Sequence, residues 1–98
     1  MIKEACVETF KEAILAQNRG ANRIELCSDL AKDGLTPSVE LMKKTCSELN
    51  IPVMIMIRPR AGNFVFSNSE INQMKTEIDR AKKVGAAGIV FGLSLIHI

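Results

Sequence analysis

The chain has 98 residues, 47% hydrophobic and 24% charged, with four Phe and neither Trp nor Tyr, a composition that excludes low-complexity and disordered sequence. Thirteen Lys and Arg against eleven Asp and Glu leave a formal charge of +2, and the basic residues are scattered, so neither nucleic acid nor an anionic membrane surface is an expected partner. No apolar run approaches the ~18 residues that span a bilayer, and Met1 to Ala5 does not open a secretory leader, so a cytoplasmic protein is expected. Cys6, Cys27 and Cys46 are an odd number at wide spacings, which fits free thiols in a reducing compartment better than a disulfide framework or a CxxC zinc pattern.

The first apolar segment, Ile2 to Val7, predicts a strand. Phe10, Ala13, Ile14 and Ala21 then share a helical face, with Gly20 where a helix ends. Arg23 to Cys27 alternates Ile24 and Leu26 with Arg23, Glu25 and Cys27 and reads as a second strand. After a loop, Thr36 as N-cap with Pro37 at the first helical position starts a helix whose apolar side is Met42, Cys46 and Leu49. Pro52 to Ile57 is a continuous apolar run of the kind a strand covered on both faces requires, and it closes on Arg58-Pro59-Arg60. Ser67 and Glu70 form a capping box for a helix with an Ile71, Met74, Ile78, Ala81 stripe, and Gly88 to Leu93 predicts a fourth strand.

The order βαβαβαβ with short connections implies an α/β fold of parallel strands with right-handed crossovers, either a doubly wound sheet or a barrel. Strand starts are spaced by about 29 residues, close to the ~31 of a (β/α)8 TIM barrel of ~250 residues, so the chain corresponds to about the first four β/α units, a partial barrel. Its open edges need the rest of a barrel or a second copy in a homo-oligomer to cover them.

In a barrel, Ala5, Val7, Ile24 and Leu26 would face the helices, leaving Glu4, Cys6, Glu8, Arg23, Glu25 and Cys27 inward. Two inward thiols at equivalent heights on adjacent strands, Cys6 and Cys27, could share one metal ion, and Cu(I), which tolerates few ligands, suits them better than zinc. The alternative is that both are ordinary buried cysteines, as Cys46 is expected to be. The third strand places Met54, Met56, Arg58 and Arg60 on one face, setting two guanidinium groups beside Glu8 and Glu25. That cluster reads either as a catalytic site, with the arginines gripping a small anionic ligand and a carboxylate acting as acid or base, or as a buried ion network. Phe64 and Phe66 lie in a loop that could cover the barrel mouth, and His97 is assigned no role.

Several stretches together resemble one family. They are Glu4 to Thr9 (EACVET), Gly20 to Ser28 (GANRIELCS), Gly34 to Ser38 (GLTPS), Ile51 to Val53, Met56 to Arg60 (MIRPR), Gly62 to Phe64 followed by Ser67, and Gly85 to Gly92 (GAAGIVFG). Running in order from residue 2 to about 93, they resemble the copper homeostasis protein CutC family. The resemblance implies a cytoplasmic TIM barrel linked to copper handling, with Cys6 and Cys27 matching the cysteines proposed to bind Cu(I). An enzyme of unknown substrate, using Glu8, Glu25, Arg58 and Arg60, is the other reading, because a lumen rich in Glu and Arg exceeds what a two-thiol carrier needs. Residues 94–98 depart from the family pattern, so residues 1–93 are expected to be the barrel portion and 94–98 a non-native tail.

Overall fold

Each helix begins where a hydroxyl side chain can take up a free backbone N–H. In the computed structural model, which describes residues 3–91 and 94–97, Thr9 accepts from the Glu12 N–H at 3.1 Å and starts α1 (Phe10–Asn18) behind β1 (Glu4–Val7). Gly20, at φ +94°, takes the left-handed turn that ends α1 before β2 (Arg23–Leu26). A 3-10 turn (Leu30–Lys32) follows, then α2 (Val39–Glu48), β3 (Val53–Met56), α3 (Asn68–Lys83), β4 (Gly88–Phe91) and β5 (Ser94–His97). The Ser67–Glu70 capping box forms in both directions at the start of α3.

The N-cap of α2 is Ser38, not Thr36. Ser38 Oγ accepts from the Leu41 N–H at 3.2 Å. The Thr36 hydroxyl is spent on a tertiary contact instead, accepting from the Arg58 N–H at 2.8 Å and donating to Glu77 Oε1 at 3.1 Å.

The strands lie in the order β1-β2-β3-β4-β5, and the first four are parallel. Val7, Ile24, Leu26, Val53, Ile55 and Ile89 from the sheet, with Ile57 just past β3, form one buried cluster with Ala13, Met42, Met74 and Ala81 from the helices and Leu49 at the end of α2. That pattern follows from period-2 alternation on the strands meeting period-3.6 stripes on the helices. β5 was not expected. It pairs antiparallel with β4, because two intervening residues are too few for the helical crossover that a parallel pairing needs. The predicted starts and ends of the outer strands at residues 1–2 and 92–93 lie outside the described residues.

Candidate metal centre

Register decides which side chains meet on the face of the sheet turned away from the helices. Cys6 is paired with Glu25, Glu25 with Met54, and Met54 with Gly88, while the next row, Val7, Leu26, Ile55 and Ile89, belongs to the helix-side core. Partners in one row point the same way, so Cys6, Glu25 and Met54 share the inner face. Cys27 continues the β1–β2 ladder, its N–H donating to the Val7 carbonyl at 3.0 Å, and stands one inner-face row higher.

The two thiols therefore share a face but not a height. The repeated Glu-x-Cys triplets are out of step, because Glu4 pairs with Arg23 and Cys6 with Glu25. An offset of two residues across neighbouring strands separates the β-carbons by about 8 Å, from a strand spacing of ~4.8 Å and a rise of ~3.3 Å per residue. Two thiolates on one ion have sulfurs no more than about 4.6 Å apart, two metal–sulfur bonds of about 2.3 Å, so both side chains must lean toward each other along this diagonal to share it.

Cys6 is exposed, and its thiol donates to Glu25 Oε2 at 3.5 Å. Desolvation by the surrounding chain, followed by the charge and hydrogen bond of Glu25 and then Glu4, pushes it up to about 11. Cys27 is 1% exposed, and the only acceptor of its thiol among the described residues is the Val7 carbonyl at 3.6 Å. Burial, followed by the charges of Cys6, Glu25, Glu8 and Glu12, pushes it to about 11 as well. Glu25 is itself raised, first by burial and then by Glu4, whose carboxylate is ion-paired with Arg23. Donor atoms of Glu4, Cys6 and Glu25 all lie within 4.8 Å of one another. Cys46, half-buried against the helix-side core and raised to about 11 by desolvation alone, plays a packing role.

These values carry a direct consequence for reactivity, since only the thiolate is nucleophilic. Cys6 alkylation in the metal-free protein should rise about tenfold per pH unit through pH 9, where an ordinary thiol near 8.5 would already be levelling off. A plateau in the rate near pH 8.5, read by mass spectrometry, would contradict the raised value.

The other predicted site residues are not brought together. Glu8 Oε2 accepts from the Leu30 N–H at 3.0 Å and caps the 3-10 turn. Arg58, 7% exposed, donates through Nη1 to the carbonyls of Lys32 at 2.9 Å and Gly34 at 3.4 Å, and through Nη2 to Gly62 at 2.9 Å. Its guanidinium lies 4.9 Å from the Phe64 ring centre. Arg60 is ion-paired with Glu70 at the start of α3, donates to the Asn63 carbonyl at 3.0 Å, and stacks on Phe66 at 4.9 Å. Glu70 is held below its usual range by the Ser67 backbone N–H and by Arg60.

The expected pairing of Arg58 and Arg60 with Glu8 and Glu25 is thus absent among the described residues. The reason is geometric: β3 ends at Met56 and the chain turns at Pro59, so strand alternation no longer aims these side chains. Loop carbonyls that need donors capture the guanidinium groups. Phe64 and Phe66 stack on the same two arginines, and this contact, not a cover over the barrel mouth, is what the structure shows of them.

Two groups at the site were not singled out as ligands by spacing. Met54 and Met56 bring thioethers to the inner face, 2% and 8% exposed, and neither belongs to the helix-side core cluster. Their alternation with Val53, Ile55 and Ile57 was the signal available in the sequence. Gly34 is the other, at φ +91°, in a loop closed by the paired Ser28–Leu35 backbone hydrogen bonds of 2.8 and 2.7 Å.

The family model described as the CutC family matches residues 1–97. The chain belongs to the CutC family. It is 47% identical to the family protein CutC of Pasteurella multocida, over 96% of this chain and 38% of that protein. It is 46% identical to the human copper homeostasis protein cutC homolog, over 93% of this chain and 33% of the relative. A crystal structure of CutC from Streptococcus agalactiae superposes with a TM-score of 0.84 at 35% identity, covering 94% of this chain and 46% of that one. The chain therefore spans between a third and a half of the length of these CutC relatives. Their fold is the TIM barrel, so the four parallel strands with helices on one side are part of such a barrel. No helix among the described residues is long and apolar enough to cross a membrane.

The chemistry of the CutC inner face suits a soft ion. Two thiols and two thioethers favour Cu(I) over oxygen-seeking cations such as Mg(II) or Ca(II).

Proposed function

We propose that this chain is the portion of a cytosolic copper-handling protein that binds Cu(I) through Cys6 and Cys27. The observation that carries the reading is the placement of both thiols on the inner face of adjacent parallel strands, one exposed and one buried, with no disulfide partner for either. The exposed Cys6 can accept an ion from solution or from a donor thiol, and Cys27 can hold it away from water. Each thiol must give up its proton to bind, and a metal supplies the charge that lowers a coordinating thiol's pKa. The copper homeostasis name of the mammalian relatives points the same way.

Competition of the 98-residue chain with a chromophoric Cu(I) chelator under reducing conditions tests this. One equivalent should be bound, and the Cys6→Ser, Cys27→Ser double variant should lose it. Equal binding by both proteins would leave the cysteines as packing residues. The enzyme reading through Glu8, Glu25, Arg58 and Arg60 draws support from Glu25 alone, because both guanidinium groups that would grip an anionic ligand are engaged by loop carbonyls, Glu70 and aromatic rings.

A further inference from the structure

Two sulfurs on a diagonal leave a copper ion open on one side, and the next strand carries a side chain placed to close it. The β2–β3 ladder ends at Leu26–Ile55; beyond it the Ser28 N–H donates to the Leu35 carbonyl, and the loop carrying Gly34 lies against both Cys27 and Met56 at the carboxyl ends of the two strands. Gly34 reports how closely the two approach. A β-carbon built on Gly34 would lie 3.5 Å from Cys27 Sγ and 3.5 Å from Met56 Cε, so these atoms are no more than twice that distance apart and converge beneath one backbone position. The Arg58 guanidinium, donating to the Gly34 carbonyl at 3.4 Å, ties that backbone down over them.

We propose that Met56 supplies the third sulfur to Cu(I), beside Cys6 and Cys27, and that this thioether makes the site select Cu(I) over Zn(II). The inference rests on the copper-binding reading above. Met56 is buried at 8% exposure outside the helix-side core, so the fold places a flexible, polarisable side chain where helix packing does not use it. A thioether binds without losing a proton and adds no charge, which matters beside two thiols that must each be deprotonated. Thioether sulfur is a soft ligand suited to Cu(I), whereas Zn(II) sites are built from thiolate, imidazole and carboxylate. Met54 is the natural comparison: it lies on the same strand and face but in the lower row, between Glu25 and Gly88.

The test measures Cu(I) and Zn(II) affinities of the 98-residue chain as wild type, Met56→Leu and Met54→Leu, changes that nearly conserve volume. Met56→Leu should weaken Cu(I) at least about tenfold, the scale on which loss of a group supporting a metal acts, with Zn(II) affinity unchanged and Met54→Leu like wild type. Cu(I) affinity unaltered in Met56→Leu, while the double cysteine variant loses it, would overturn the third ligand and leave the two-thiol reading standing. A wild-type chain without thiol-dependent Cu(I) binding would overturn both. Selenium X-ray absorption on the selenomethionine-labelled Met54→Leu chain keeps the test independent of how Met56→Leu folds: copper beside selenium supports the ligand, and its absence overturns it.

Discussion

Ile55→Ala is expected to remove about 2–5 kcal/mol of stability, a large share of the roughly 5–15 kcal/mol that holds a native protein folded. Ile55 is fully buried in the middle parallel strand, paired with Leu26 on one side and Ile89 on the other, and packed into the cluster that joins sheet to helices. Truncation deletes buried methyl and methylene groups where flanking strands, fixed by their ladders, cannot close the gap. Urea unfolding followed by circular dichroism measures the effect. A loss below 1 kcal/mol would mean that β3 is not the centre of the core. Val65→Ala, at a side chain 79% exposed, is the comparison and should move stability by no more than about 0.5 kcal/mol.

Arg58→Ala is expected to free the Gly34 loop that lies over Cys27 while leaving the helix-side core folded. The guanidinium supplies hydrogen bonds to three carbonyls in two loops and stacks on Phe64. Its removal leaves acceptors unsatisfied at about 1–3 kcal/mol each where they are buried, so a loss of roughly 3 kcal/mol of local loop closure follows. Since ~1.4 kcal/mol is a factor of ten, Cys27 should alkylate on the order of 100-fold faster. Cys46, packed against the helix-side core and far from these loops in the chain, is the internal control. Acceleration confined to Cys27 supports the clamp. Equal acceleration of both thiols would show general unfolding, and no change at Cys27 would show that Gly34 is held by other means.

Element order was legible because its signals are local. The Ser67–Glu70 box, the turn at Gly20 and the alternation of Val53, Ile55 and Ile57 with two methionines each act within one turn or one strand. Thr36 shows where local reasoning stops: a hydroxyl well placed to cap a helix is instead held between the Arg58 N–H and Glu77, 22 and 41 residues away. The candidate site divides in the same way. That Cys6, Glu25 and Cys27 face inward follows from period-2 alternation, whereas the row each occupies depends on how β1 slides against β2, and no residue within either strand reports that.

The α/β alternation, the CutC membership, and the set of thiols, carboxyls and guanidinium groups near the carboxyl ends of the strands can all be read along the chain. Which of those groups meet is a matter of how the strands and loops come together. Register set Cys27 one row above Cys6, the Gly34 loop came to lie against both Cys27 and Met56, and loop carbonyls without helical or sheet partners drew Arg58 and Arg60 away from Glu8 and Glu25. The physical reason is one of range: caps and periodicity are satisfied by neighbours in the chain, while register and the capture of a charged side chain are settled by contacts between segments that only folding brings together.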